Sequence, residues 1–489
     1  MFTSWRDVVR ATTTALVVGL AILAGPRSAA ASPSPAVSYT NTLIHQRADP
    51  HIVKHTDGWY YFTATVPEYD RIILRRAETI QGLSGAEEVV VWDRDASGTG
   101  VGYVWAPELH HIDGKWYVHF ALGIRDAFDI RPFVIEGTGA NPLTADWVEK
   151  GVVRTNWETF SLDATTFVAN GTRYLCWAQN DPTTGDSGTS LLLAPMENPW
   201  TLRLPAVVIS RPEYPWERVG HNVNEGAYVV ERNGRLYMPY SAAATDHNYA
   251  VGMLSADADA DLMDPASWEK ASEPLFVSNA LTGQWGPGHH TFTVSEDGLS
   301  DLIVYHARNY SRVVGEPLNN PDRHTRVQKV YWGADGTPDF GIPVPDGPTP
   351  FRFRSHNDET LYTRHGADGG GPVSLHLAAD RPVRETQFRV VSPGFAGEGT
   401  VSLEAASHPG EFLRDKNGIV ELAPQGDQDT TPASASFVQV EGLADGEGVS
   451  FALANDRARY IRSRADRLLV VAPVNGAGEA ASLATFYTE

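Results

Sequence analysis

The sequence predicts an all-β protein, a five-bladed β-propeller followed by a β-trefoil, and two internal repeats of different period carry that prediction. The first repeat is a hairpin that returns five times: "DPHIVKHTDGWYYFTA" (49–64), "APELHHIDGKWYVHFA" (106–121), "DATTFVANGTRYLCWA" (163–178), "EGAYVVERNGRLYMPYS" (225–241) and, more loosely, "GHHTFTVSEDGLSDLIVYHA" (288–307). Each copy is a strand, an Asp-Gly or Asn-Gly turn and an aromatic second strand, a strong short-range hairpin signal. The second repeat occupies the tail, where "FRFRSHNDETLYTRH", "VSLEAASHPGEFLRD" and "VSFALANDRARYIRS" align and Phe388, Phe437 and Phe486 recur 49 residues apart. Threefold repetition of a short all-β unit that cannot bury its apolar face alone reads as a trefoil.

The chain begins with Arg6, Arg10, the apolar run "ALVVGLAILAG" and "SAAAS", which reads as a secretory signal over residues 1–31, cleaved near Ala31. The mature protein is then extracellular. No later stretch is apolar enough to cross a membrane.

Residues 38–335 form the propeller. Their turn glycines Gly58, Gly114, Gly171, Gly234 and Gly298 stand at intervals of 56, 57, 63 and 64 residues, room for about four strands per blade. The segment "GADGTPDFGIPVPDGPTP" (333–350) breaks the period and is rich in Pro and Gly. A linker is placed at 336–350, with the trefoil at 351–489.

Composition narrows the partners. The formal charge of −21 becomes −23 once the three Arg and one Asp of residues 1–31 are removed, and such acidity opposes nucleic acid, whose phosphates demand Lys and Arg. A neutral polysaccharide meets no such objection. The single Cys176 cannot form an internal disulfide and reads as a small buried hydrophobe. The chain is read as a monomer.

The chemistry is expected where the first strand of each repeat meets the propeller axis. Asp49, Asp163 and Glu225 open three of the five copies, and Pro107 with Glu108 and His289 with His290 open the others. Carboxylates gathered on one axis raise at least one pKa, which lets an acid and a base coexist near neutral pH. Hydrolysis of a glycosidic bond needs that pair.

At these residues the chain resembles glycoside hydrolase family 43 across roughly residues 40–340, in "ADPHIV", "VWAPELHHIDGKWYVHF", "SLDATTF", "NEGAYVV", "GPGHH" and "YHAR". The resemblance implies a five-bladed propeller that releases L-arabinofuranose or D-xylose with inversion. It implies Asp49 as general base, Glu225 as general acid and Asp163 as the carboxylate that orients the acid and tunes its pKa. Inversion places base and acid about 6.5–9.5 Å apart. Trp105 and Glu108 are expected beside the sugar, Trp105 as an apolar face, and Arg308 near the sugar hydroxyls. No cofactor is required for the chemistry; His289 resembles the family's axial His, which implies a structural calcium ion or ordered water in the channel.

The tail resembles the arabinofuranose-binding β-trefoil, carbohydrate-binding module family 42, over residues 351–489. A His and an Asp in each repeat are the implied sugar ligands: His365 and Asp380 in the first, Asp415 and Asp429 in the second, with Ser463 and Gly478 at the third. Together the resemblances imply a secreted exo-α-L-arabinofuranosidase acting on arabinan, arabinoxylan or arabino-oligosaccharides. An endo-arabinanase or a β-xylosidase of the same family, and a non-catalytic polysaccharide-binding protein, are the alternatives.

Overall fold

The computed structural model describes residues 37–378 and 382–489; the expected signal segment 1–31 lies outside them. Five antiparallel sheets follow one another in chain order, as the hairpin repeat requires. Blade one comprises Ala48–Lys54, Tyr60–Thr65, Arg71–Ala77 and Val89–Asp93, and blade two Val104–Ile112, Lys115–Gly123, Ile130–Thr138 and Asp146–Val152. Blade three opens with Ser161–Ala169, and blade four with Asn224–Glu225 and Val230–Arg232, two short strands paired with Arg235–Ala242. Blade five has three strands, Trp285–Val294, Asp301–Arg308 and His324–Lys329.

Blade five is completed by residues 41–44, which precede blade one. The Leu43 N–H donates to Thr325 O at 3.0 Å and the Thr325 N–H to Ile44 O at 2.9 Å, while the Asn41 side chain bonds both main-chain groups of Val327. The first and last blades are thereby joined.

Apolar side chains from facing sheets fill the space between blades. Trp92, Trp116, Phe120 and Phe133 pack between blades one and two, and Trp177 with Tyr117 and Leu192 between two and three. Each buried side chain of this size contributes about 1.5–3 kcal/mol. Cys176 belongs to this packing: it is fully buried, and its sulfur lies 3.8 Å from that of Met238.

Residues 336–350 are a fastened strap and not the free linker their composition suggests. Pro338–Asp339 pairs with Tyr331–Trp332, and Gly347–Pro348 with Thr40–Asn41. Gln328, on blade five, donates to Phe340 O and accepts from the Val344 N–H. Proline and glycine here shape turns that follow the blade surface.

Beyond the strap, thirteen strands form one sheet closed through Phe486–Thr488, which pairs with both Phe351–Ser355 and Val449–Leu453. The three phenylalanines spaced by 49 residues all enter its core, beside Phe353, Leu413, Phe451 and Leu469. Their equivalence predicts a shared cost of removal. Phe437→Ala should destabilise the trefoil by about 3–5 kcal/mol, seen in chemical denaturation as a lower midpoint for that domain.

Candidate active site

All five inner strands break at the same structural place. Asp49, Ala106, Asp163, Gly226 and His289 have φ of 52°, 49°, 55°, 54° and 40°, the left-handed region that side chains disfavour. In the four continuous inner strands the pairing register shifts at this point, between Ala48 and His51, Trp105 and Glu108, Leu162 and Thr165, and Gly288 and Thr291. Such bulges re-aim side chains, and here they turn Asp49, Asp163 and His289 toward the mouth of the channel.

A bulge also frees a backbone donor. Four of these N–H groups are captured by a side chain of the preceding blade: Asp49 by His306 Nδ1 (3.1 Å), Ala106 by Thr65 Oγ1 (2.7 Å), Gly226 by Asp163 Oδ2 (3.1 Å) and His289 by Ser241 Oγ (2.8 Å). The register of blade four therefore differs by one residue from the repeat alignment. Gly226 is the equivalent of Asp49 and Asp163, and Glu225 stands one position earlier, level with Trp105 and Leu162.

One pocket receives these groups. Asp49, Asp163, Glu225, His289, Tyr249 and Arg323 form its polar floor, and Trp105, Phe128, Phe160, Leu162 and Leu318 its apolar walls. Trp105 stacks on Tyr103 with ring centres 5.1 Å apart, and the exposed Phe128 meets both rings edge-on at the rim. Such a wall suits the apolar face of a sugar ring.

The three carboxyl groups share the floor but not the same electrostatics. Asp49 Oδ2 accepts from Thr65 Oγ1 at 2.6 Å, and Oδ1 accepts from Arg323 Nη1 at 3.0 Å, with His289 Nδ1 at 3.3 Å. Burial alone would raise its pKa, but Arg323, then His289, hold it well below the usual carboxylate range. Asp163 goes the other way. Burial and its neighbours Glu225 and Asp49 push it well up, against the Gly226 N–H. Glu225 is pushed up to about 7 by burial, with Asp49 adding to the rise and the Tyr249 hydroxyl and Arg323 opposing it. Near neutral pH the pocket thus holds an ionised Asp49 facing carboxyl groups that retain a proton.

Two expected sugar contacts lie elsewhere. Glu108 is two residues past its bulge, so it faces the channel below the pocket, buried, with Oε2 2.9 Å from His110 Nε2. Arg308 is also buried and donates to Thr245 O, Pro317 O and Asn320 Oδ1. It clamps the loops that carry the pocket rim, and the guanidinium that reaches the floor is that of Arg323.

In the trefoil, the His365 ring is buried, with Nδ1 2.7 Å from Gly366 O and Nε2 3.2 Å from Ser407 Oγ. Asp415 accepts from the Gly418 N–H at 2.7 Å and pairs with Arg459 at 3.1 Å. Both are engaged by groups of the trefoil itself. Asp429 is exposed; Asp380 lies outside the described residues.

The donors do not fit calcium at His289. Its Nδ1 is engaged by Asp49 and, at 3.7 Å, by Asp163, whereas calcium takes six to eight oxygens. Among the described residues the one converging trio of possible metal ligands is His51, Glu108 and His110, which excludes His289 and is mostly nitrogen.

Arg323, Tyr249, Thr65, His306 and Ser241 complete the site without having been expected. His306 stands inside "YHAR", Thr65 is the last residue of its hairpin's second strand and Ser241 the last but one, so the repeat itself places these three. Arg323 and Tyr249 lie in loops outside the repeated hairpins.

Comparison with known proteins agrees with this geometry. The model of "Glycosyl hydrolases family 43" matches residues 39–338, and that of the "Alpha-L-arabinofuranosidase B (ABFB) domain" matches 351–488. "Alpha-L-arabinofuranosidase 43" of Humicola insolens is 57% identical over 480 residues, covering 96% of this chain and 98% of that protein. "Extracellular exo-alpha-(1->5)-L-arabinofuranosidase" of Streptomyces avermitilis is 52% identical over 479 residues, covering 97% and 98%. The crystal structure of an alpha-L-arabinofuranosidase from Lactobacillus brevis, 49% identical, superposes with a TM-score of 0.61 over 63% of this chain and 98% of its own. With the propeller and the trefoil each matched over nearly their whole length, the chain belongs to glycosyl hydrolase family 43 and carries an arabinofuranosidase B domain at its C-terminus.

Proposed function

We propose that the protein is a secreted, inverting exo-α-L-arabinofuranosidase that releases terminal L-arabinofuranose from α-1,5-linked arabinan or from arabinoxylan side chains. The observation that carries this reading is the split in proton affinity between Asp49 and Glu225 across one pocket. The exo mode and the α-1,5 link are supported by the names of the Streptomyces relatives, and secretion by their description as extracellular.

Asp49, held ionised by Arg323, accepts a proton from water as the water oxygen bonds to the anomeric carbon. The electron pair of the breaking bond passes to the leaving oxygen, which takes its proton from Glu225. Asp163 acts on the acid through the backbone: its bond to the Gly226 N–H fixes the chain next to Glu225. Family 43 chemistry needs no cofactor. The trefoil serves as a tether that raises local substrate concentration without adding chemistry.

Glu225→Gln keeps the shape of the side chain and removes its proton. Hydrolysis of unactivated arabino-oligosaccharides should fall by about 10²–10⁴-fold, read by product NMR, while arabinoxylan binding through the trefoil persists; an active variant ends the assignment. The pH profile of kcat/KM gives a separate check. The acid works only while protonated, so activity should decline as pH rises through about 7. The base works only while ionised, so the acidic limb should lie below the ordinary Asp range. An alkaline limb several units higher, or an acidic limb above the ordinary range, contradicts the assigned roles.

A further inference from the structure

The position immediately before each left-handed residue is occupied by Ala48, Trp105, Leu162, Glu225 and Gly288 in turn. Trp105, Leu162 and Glu225 line the pocket. The fifth place has no side chain, and the reason is steric: a Cβ on Gly288 would lie 2.4 Å from two ring carbons of Tyr249. Gly286, at φ +61°, gives similar clearance, because a Cβ there would come within 2.2 Å of Asp246 O. The glycines of "GPGHH" thus make room for the 246–249 loop of blade four.

Tyr249 uses that room to reach across. Its ring lies parallel to His306, centres 5.7 Å apart and planes 3° apart, and its hydroxyl donates to Glu225 Oε1 at 2.8 Å. His306 in turn accepts the Asp49 N–H. One rigid stack therefore runs from the backbone of Asp49 to the carboxyl of Glu225. With Oε1 occupied, Oε2 is the oxygen left to carry the transferable proton.

We propose that Tyr249 is a positioning residue that directs Glu225 toward the leaving oxygen through Oε2, and that residue 288 is glycine because the tyrosine ring fills its place. The inference rests on Glu225 being the general acid. In the step itself Glu225 Oε2–H gives its proton to the leaving oxygen, while Tyr249 keeps its own. Burial and the carboxyl groups of Glu225, Asp163 and Asp49 hold the phenol well above its ordinary pKa, so it remains a donor. The charged and titratable groups facing Glu225 are Asp49, Asp163, Tyr249 and Arg323; of these only Tyr249 bonds to it directly.

Tyr249→Phe deletes the bond and keeps the ring. On arabino-oligosaccharides kcat should fall by about ten- to a hundredfold with KM nearly unchanged. On a nitrophenyl arabinofuranoside, whose leaving group needs little protonation, the loss should be small. The alkaline limb should move to higher pH, because a bond that favours the carboxylate has gone. Gly288→Ala should move it the same way, and the double variant no further than either alone. Titration of the Glu225 carboxyl by ¹³C NMR, identified by its disappearance in Glu225→Gln, reports the same rise without requiring turnover. Equal losses on both substrates with an unmoved carboxyl titration overturn the proposal, as does a Gly288→Ala protein that titrates like the wild type. A wild-type protein that hydrolyses neither substrate, but whose Glu225 titration responds to Tyr249→Phe, instead counts against the function proposed above.

Discussion

The site depends on one recurrent backbone device, a left-handed residue in every inner strand, whose freed N–H is in four of the five taken by the blade before it. Four of the five are not glycine, and each such conformation costs on the order of 1 kcal/mol or more. The capture by His306, Thr65, Asp163 and Ser241 offsets part of that cost and turns it into geometry. A blade cannot rotate about the axis without breaking a bond to its neighbour. The side chains that the bulges aim inward are consequently held by the whole ring and not by a single loop.

That rigidity lets one small cavity hold opposite proton affinities. Asp49 and Glu225 are both buried carboxyl groups, and burial alone would raise both. What separates them is Arg323, which bonds Asp49 at 3.0 Å and keeps it ionised, while the charge of Asp49 in turn adds to the rise of Glu225. Thr65 links the two levels of organisation: its hydroxyl donates to the Asp49 carboxylate and accepts the freed N–H of Ala106. The same atom secures a blade contact and stabilises the ionised form of Asp49.

Much of this was legible in the sequence because it repeats. Five Asp-Gly and Asn-Gly hairpins announce five blades, three phenylalanines 49 residues apart announce the trefoil core, and the acids at 49, 163 and 225 fall at the repeat starts. What was misread concerns direction. A bulge of one residue reverses which side chains face the pocket, so Glu108 enters the channel below and Glu225 belongs one step ahead of its apparent equivalents. Arg308 spends its guanidinium on oxygens of Thr245, Pro317 and Asn320. Arg323 and Tyr249 come from connections that share no period with the blades, and only the folded ring brings them to the floor. The trefoil candidates His365 and Asp415 came from the repeat positions of the family pattern, and position in a repeat does not fix what a side chain touches.

The seam between the first and last blades has its own significance. Residues 41–44 reach Thr325 and Val327 across it, and on either side of that junction stand Asp49 and the guanidinium that keeps it charged. A separation of 274 residues lies between these partners, so a chain still emerging from the ribosome owns the buried carboxylate long before its counter-ion exists. Closure of the circle and pairing of Asp49 with its guanidinium are therefore a single event.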